Sequence, residues 1–331
     1  MSEQLKLLVV IVNYKATGLT LDCLQSISEQ IASLPLVKVA VCENGTGDAD
    51  AKIIAKAIED NNWASWCWLK AISPNRGFSG GNNAVLKDAL NWSDPPENFL
   101  LLNADTIVRE NAINELLEAA NENVSAGIIS PRLEWPDGTP QISCFRYINP
   151  ISEFIDAAHT GVFTKIFKKF DVPIDVVDSP STPQWTTFAC ALIRKEVFDQ
   201  IGLLDPGYFL YFDDPDFCRR AQKNGWAVLN WPKAKVVHLR GKSNPVKSLT
   251  KERKRRPSYF YASRARYLAK FYGRVGLWFT NMLWLVGRSL SLIREKIGRK
   301  QEHVCDSEVK DIWTNWSHPM RTTGQLGADS K

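Results

Sequence analysis

Residues 7–14 read LLVVIVNY. Six apolar residues run without a polar interruption, and four of them are β-branched. A strand with one face in water alternates apolar and polar, whereas an unbroken apolar run belongs to a strand covered on both faces. Runs of the same kind recur at 37–42 (VKVAVC), 67–72 (CWLKAI), 99–102 (FLLL) and 126–130 (AGIIS). Helical patterns lie between them, at 18–33, 49–61, 79–91 and 110–122. Strands spaced by single helices imply βαβ crossovers, hence an α/β fold with a mainly parallel sheet flanked by helices. Ligands of such sheets bind at the carboxyl ends of the strands. The residues that follow each run are Asn13-Tyr14, Glu43-Asn44-Gly45, Pro74-Asn75-Arg76-Gly77 and Asn103-Ala104-Asp105. Asn44-Gly45 alone reads as an ordinary turn. Four polar clusters converging on one sheet edge predict a site.

The 331 residues are 44% hydrophobic and 23% charged, enough for a sizeable core in a soluble globular chain. Seven cysteines are scattered without a C-x-x-C, which argues against a disulfide framework or zinc site and for a reducing compartment. The N-terminal apolar run is short and lacks a small-residue cleavage site, so it reads as a strand and not a signal peptide. The net charge of +5 conceals an asymmetry. Residues 233–300 hold 19 Lys+Arg against two acids, Glu252 and Glu295, while the remainder holds 22 against 34. An acidic body with a basic appendage points to a polyanion, either nucleic acid or an anionic membrane surface. Within the appendage, VGLWFTNMLWLVG (275–287) lies between Arg274 and Arg288. Thirteen apolar-rich residues are too few to span a bilayer. They suit an interfacial helix anchored by Trp278 and Trp284, the alternative being a helix packed on the main domain.

Residues 131–183 read as loops with a short helix near 151–158. A strand (187–193) and a short helix (195–202) follow. Then comes FLYFDDPDFCRR (209–220), which sets Asp213, Asp214 and Asp216 among aromatics. A helix over 215–224 is predicted, with Pro215 at its first position and Gly225 as its stop. AVLNWP and AKVVHLR read as two further strands. Asp before Pro is a good helix cap, but capping does not need three acids. A general base does need a carboxylate in a sheltered pocket. GFSGGNN (77–83) is glycine-rich, yet its spacing fits neither phosphate-loop fingerprint. Without such a loop a bound diphosphate calls for a divalent cation, and hard cations take carboxylate oxygen. Asp105, at a strand end, is the candidate ligand, and His238, at the end of a strand in a polar break, a candidate second.

Taken in order, VVIVNYK, VCENGTGD, PNRGFSGGNN, LLLNADT, GLLDPGYFLYFDDPDFCRRAQKNGW and VVHLRG resemble the family 2 glycosyltransferases of GT-A fold. Bacterial rhamnosyltransferases of cell-surface polysaccharide synthesis are the nearest resemblance, over roughly residues 6–240. The resemblance implies roles. Tyr14 packs against the nucleotide base, and Glu43 stands where an aspartate usually contacts it. Asn13, Asn44, Asn75, Arg76, Asn82 and Asn103 belong to the nucleotide-sugar pocket. NADT keeps only the last acid of the familiar D-x-D, so Asp105 with His238 would hold Mg²⁺ or Mn²⁺. Asp214 takes the place of the catalytic base. Asp213 orients the acceptor, with Trp185 and Tyr211 as acceptor-facing aromatics.

The expected reaction is an inverting transfer from a nucleotide-sugar, with dTDP-rhamnose favoured, to a hydroxyl of a lipid-linked or polysaccharide acceptor. The rivals are a sugar-nucleotide nucleotidyltransferase, for which NYKATG makes a poor activating loop, and a non-enzymatic polyanion binder. Nucleic acid is not an expected partner, because the acid cluster repels phosphates. The expected organisation is a GT-A domain over 1–242, split into a nucleotide-sugar half (1–130) and an acceptor half (131–242). A basic membrane-associating helical tail (243–300) and a flexible C-terminus (301–331) follow. The expected location is the cytoplasmic face of the plasma membrane, peripherally bound.

Overall fold

The computed structural model describes residues 4–241, 246–298 and 302–321. These fall into two compact units. One lies within Met1–Cys144, Asp175–Asp205 and Asp214–Ser243, the other within Phe145–Ile174, Pro206–Asp213 and Asn244–Lys331. The chain runs β1 (Leu7–Asn13), α1 (Thr17–Ala32), β2 (Val37–Asn44), α2 (Asp48–Asp60), β3 (Cys67–Ile72), α3 (Gly77–Leu90), β4 (Asn98–Asn103), β5 (Thr106–Val108), α4 (Ala112–Glu122) and β6 (Ala126–Glu134). It continues through β7 (Cys144–Phe145), α5 (Pro150–Ala158) and α6 (Gly161–Ile166), then β8 (Trp185–Thr186), β9 (Cys190–Arg194) and α7 (Lys195–Ile201). Next come α8 (Asp213–Lys223), β10 (Ala227–His238), α9 (Val246–Lys251), α10 (Ser258–Gly298) and α11 (Glu308–Asp311).

The first unit is built on an eight-stranded sheet in the order β3-β2-β1-β4-β9-β6-β10-β5. β1 pairs in parallel with β2 and β4, with Val9 opposite Val39 on one side and Leu100 on the other. The run LLVVIV fails to alternate because both its faces are buried. Leu7, Val9 and Ile11 pack with Leu24, Ile27, Ile54 and Leu116, under α1, α2 and α4. Leu8 and Val10 pack with Leu86, Phe198 and Phe217, under α3, α7 and α8. The sheet is mainly parallel, as expected, but β9 runs antiparallel to β4 and β6, and β5 antiparallel to β10. An apolar run buried on both faces reads the same in either direction, so its direction is not written in its composition.

Two boundaries differ from expectation. AVLNWP and AKVVHLR form one strand, β10, whose register against β6 slips between Trp231 and Lys235. Pro232, which has no amide to give, sits at that irregularity. α8 begins at Asp213, two residues before Pro215. Proline is tolerated there because first-turn amides have no intrahelical partner.

The second unit holds most of the tail. α10 is interrupted at Gly273, whose φ of 72° is not helical. Beyond this break Leu277, Asn281, Trp284, Arg288, Ser291 and Glu295 recur at three- and four-residue steps and are buried. α5 packs closely on α10: a Cβ on Gly287 would lie 2.6 Å from the Phe154 carbonyl oxygen. Trp284, expected at a lipid interface, is 3% exposed and clusters with Ala157, Tyr261 and Ile312, whereas Trp278 is 49% exposed. The basic excess is partly neutralised inside the unit. Arg264 pairs with Glu153 (2.6 Å), Arg288 with Glu295 (2.9 Å), Arg255 with Asp311 (2.7 Å) and Arg256 with Glu308 (3.2 Å).

Two further segments of this unit are more ordered than their composition suggests. Residues 302–321, expected to be flexible, carry α11 and bury Cys305 and Ile312, because Glu308 and Asp311 answer arginines of 251–256. Part of the region expected as loops forms α6 and a 3-10 turn at Lys168–Phe170. Residues 242–245, where the tail was expected to begin, and 322–331 lie outside the described residues. Among the described residues no helix is long and apolar enough to cross a membrane.

Candidate active site

The carboxyl edge of the parallel strands brings the expected clusters together through backbone topology. After β1, Asn13 is buried and turned toward α1: its amide oxygen accepts from Thr20 Oγ1 (2.9 Å) and its nitrogen donates to Thr17 Oγ1 (3.4 Å). Tyr14 stays half-exposed, with the Lys15 ammonium 5.3 Å from its ring centroid. After β2, the Glu43 carboxylate is buried and accepts from its own loop, from Thr46 N at 2.6 Å and Gly45 N at 3.3 Å. Lys15 N in turn donates to Thr46 Oγ1 (2.8 Å), which ties the first two loops together.

Asn44 joins the second loop to the third. Its nitrogen donates to Gly77 O (2.9 Å) and its oxygen accepts from Arg76 N (3.0 Å). Gly45 has φ +82°, and a side chain there would run into the Pro74–Asn75 backbone. Glycine alone meets both demands. Asn75 Oδ1 accepts from Gly77 N (2.8 Å) as α3 opens, and Asn82 donates to Phe78 O (2.9 Å). The Arg76 side chain remains exposed at the mouth of that helix. Asn44 and Asn75 therefore brace the loops, Asn13 and Asn82 bond to α1 and within α3, Tyr14 is half-exposed and Arg76 exposed.

Asp105 follows β4 and is 1% exposed. The chain turns there into β5: Asn103 O accepts from Thr106 Oγ1 (2.7 Å). β5 pairs antiparallel with the end of β10, His238 facing Thr106, and Leu239 N donates to Asp105 O (2.9 Å). This pairing brings His238 Nε2 to 3.5 Å from Asp105 Oδ1. Both side chains are buried. The separation exceeds a hydrogen bond. It is close to the roughly 3 Å between neighbouring ligands of a cation bound at about 2.1 Å. His238 Nδ1 is buried and has no hydrogen-bond partner among the described residues. A carboxylate and an imidazole so placed fit a divalent cation that takes its other ligands from water and a substrate diphosphate. No cluster of three or more His, Cys, Asp or Glu suited to a metal occurs among the described residues.

Sequence reasoning missed Gln141, whose amide donates to the carbonyl oxygens of His238 (2.8 Å) and Glu134 (2.9 Å) and so fixes the end of β10. It lies in a Pro/Gly-rich stretch without periodicity, and no local signal marks it. The thiols behind the site are inert. Burial pushes Cys23, beside Thr106, and Cys42, on β2, up to about 12. Thiols at that level are protonated and unreactive at neutral pH.

Asp213 and Asp214 open α8. β10 runs parallel to β6, and both run parallel to β1 through the antiparallel β9 between them and β4. β10 thus starts at the amino edge of the sheet, and α8, which leads into it through a short turn, points Asp214 toward the carboxyl edge. Asp216 is separate in role: fully buried, it accepts from Arg220 Nε (2.8 Å) one turn on, and Arg220 also donates to Ile201 O and Leu203 O. Trp185 is half-buried against the α3/α7/α8 layer. Tyr211, in the second unit, stands edge-on to Phe260 with ring centroids 5.5 Å apart.

A family model described as "Glycosyltransferase like family 2" matches residues 4–258. A low-salt glycan biosynthesis hexosyltransferase of Haloferax volcanii, Agl10, is 28% identical over 156 residues, 45% of this chain and 44% of that protein. An N-acetylglucosaminyl-diphospho-decaprenol L-rhamnosyltransferase of Mycobacterium tuberculosis is 28% identical over 151 residues, 44% of this chain and 47% of its own. The chain thus spans less than half the length of these curated relatives. Among solved structures, a mannosyltransferase of Pyrobaculum calidifontis in complex with GDP-Man and Mn²⁺ superposes with a TM-score of 0.53 at 13% identity, over 100% of this chain and 89% of that one. GalNAc-T7 with UDP, GalNAc and Mn²⁺ gives 0.58 at 13% identity, over 98% and 57%. The fold is GT-A.

Proposed function

We propose, from the premise that this chain belongs to glycosyltransferase family 2, that it transfers a sugar from a nucleotide-sugar to an acceptor hydroxyl with inversion. The pairing of Asp105 with His238 at 3.5 Å carries the reading, because it offers two buried ligands at the edge where a donor diphosphate would lie. These residues would hold Mg²⁺ or Mn²⁺, which when bound neutralises charge on the departing nucleoside diphosphate. Tyr14 and Arg76 reach the base and diphosphate. Asn13, Glu43, Asn44, Asn75, Asn82 and Asn103 shape the pocket.

Asp214 removes the acceptor proton. The acceptor oxygen bonds to the anomeric carbon as that carbon's bond to the diphosphate oxygen breaks, and the configuration inverts. Asp213, Trp185 and Tyr211 orient the acceptor. The rhamnosyltransferase relative favours L-rhamnose from dTDP-rhamnose as donor substrate, and the acceptor in its name, a diphospho-decaprenol-linked sugar, favours a lipid-linked acceptor. A donor screen that reads nucleoside-diphosphate release with Mn²⁺ and Mg²⁺ tests this. Release from no nucleotide-sugar in the presence of membrane extract contradicts it.

The second unit supplies the contact with an anionic membrane surface, at the inner face of the plasma membrane. Val275, Trp278, Phe279 and Val286 are exposed on the outer side of α10, and Val162 and Ile166 on α6. Lys165, Lys168 and Lys169 in and just after α6, and Arg274 and Lys296 in α10, are exposed as well. Glu295, the one acid in α10, is buried against Arg288. Exposed apolar side chains with exposed cations on the same segments suit an interfacial helix on anionic lipid.

A further inference from the structure

We infer that Arg266 is a positioning residue that sets the loop carrying the catalytic base; the inference rests on the reading of Asp214 as that base. The loop 206–212 leads into Asp213 and Asp214 at the start of α8, and it holds an unusual backbone. Tyr211 and Phe212 have φ of 68° and 64°, two consecutive bulky residues in the left-handed region. Such a conformation is costly for aromatic residues and persists only where the surroundings over-determine it.

The surroundings come from α10. The Arg266 guanidinium, nearly buried, lies directly over Gly207, where a Cβ would collide with it. It also stands 5.5 Å from the centre of the Tyr208 ring, and its Nη1 donates to Met320 O (2.7 Å). Ser263, one turn earlier on the helix, donates to Leu210 O (3.1 Å). The Phe212 ring packs against Phe260 and Tyr267 at 5.7 and 5.8 Å. Gly207 has an ordinary φ, so its lack of a side chain serves the guanidinium and not the backbone. One arginine thus spans the start of the loop, its aromatic wall and the chain near 320. The strained end of the loop is held by the rings of the same helix. This assigns part of the basic tail to catalysis by geometry rather than to a polyanion.

A double-mutant cycle on the full chain tests the assignment, with kcat, acceptor KM and donor Kd read separately. Arg266→Ala is expected to lower kcat about 100-fold, the cost of a misplacement near 1 Å, with donor Kd unchanged. Gly207→Ala should dislodge the guanidinium and lower kcat similarly, yet add no more than about 2-fold once Arg266 is already alanine, because the two act as one contact. Arg266→Lys should restore part of kcat, and Ser263→Ala should give a smaller fall in kcat alone. If Arg266→Ala does not fold, Gly207→Ala, Arg266→Lys and Ser263→Ala carry the test. Additive effects of Gly207→Ala and Arg266→Ala, or losses confined to KM or donor Kd, overturn the inference. Unaltered transfer by Asp214→Asn overturns the base assignment instead, and so separates the two failures.

Discussion

His238 Nε2 lies 3.5 Å from Asp105 Oδ1 because β5 folds back antiparallel to the end of β10 and sets His238 opposite Thr106. Removing either side chain should weaken cation-dependent donor binding while leaving the sheet intact. Asp105→Ala is expected to raise the Mn²⁺ requirement by more than the roughly 10–100-fold that loss of an outer-shell partner costs. His238→Ala should act in the same direction. Calorimetric titration of nucleotide-sugar with and without Mn²⁺ measures it, and equal Mn²⁺ dependence in variant and parent refutes the pairing as a cation site.

Asn44 bridges two loops with both ends of its amide. Asn44→Ala leaves Gly77 O and Arg76 N without this partner, and a buried polar group so stranded costs about 1–3 kcal/mol. A lower Tm and weaker donor binding should appear together, since the same loops form the pocket. A fall in donor affinity without any fall in Tm would show that Asn44 touches the ligand instead of bracing the loops.

Trp278 and Trp284 lie six positions apart on one helix, and their environments are opposite. Trp284→Ala should cost about 3–5 kcal/mol by opening a cavity beside Tyr261 and Ala157. Trp278→Ala should leave Tm nearly unchanged but reduce co-sedimentation with anionic vesicles. Equal vesicle binding by the parent chain and the Trp278→Ala, Phe279→Ala double variant removes the lipid-facing role of this surface.

His159 caps the end of α5 and stacks on His303, with ring centroids 4.6 Å apart. Burial, then the neighbouring His303 and Arg294, hold its pKa below the ordinary 6.5, while Glu295 acts in the opposite sense. The unfolded chain therefore binds the proton more readily than the folded one. Its contribution to stability is complete above pH 6.5 and is lost as the pH falls from 6.5 toward the lowered value. The drop in Tm between pH 7 and pH 5 should be smaller for His159→Gln than for the parent. An equal drop contradicts this.

The architecture was legible because it is written in unbroken apolar runs. LLVVIV and FLLL announce buried parallel strands, and the polar residues that follow them announce the site edge. Three things were not legible. The direction of β9 is not encoded in CALIR, since both faces of the strand are buried. The fate of 275–287 depends on what packs against it: half of the helix is covered by α5, and the tryptophans divide accordingly. The role of Asn44 is set by hydrogen bonds to a loop distant in sequence, which no local pattern records. The strand end marks His238 in the sequence, while its closeness to Asp105 depends on β5, a three-residue strand with no periodicity of its own.

Asp214→Asn tests whether Asp214 is the base that takes the acceptor proton. The substitution keeps the shape of the side chain and removes its ability to take a proton. Transfer to the acceptor, followed as sugar incorporation, should fall by at least the roughly 100–10,000-fold that general base catalysis contributes, with nucleotide-sugar Kd preserved. Asp216→Asn should instead lower Tm through Arg220. Full transfer by Asp214→Asn, with an intact fold and unchanged donor binding, would contradict the account.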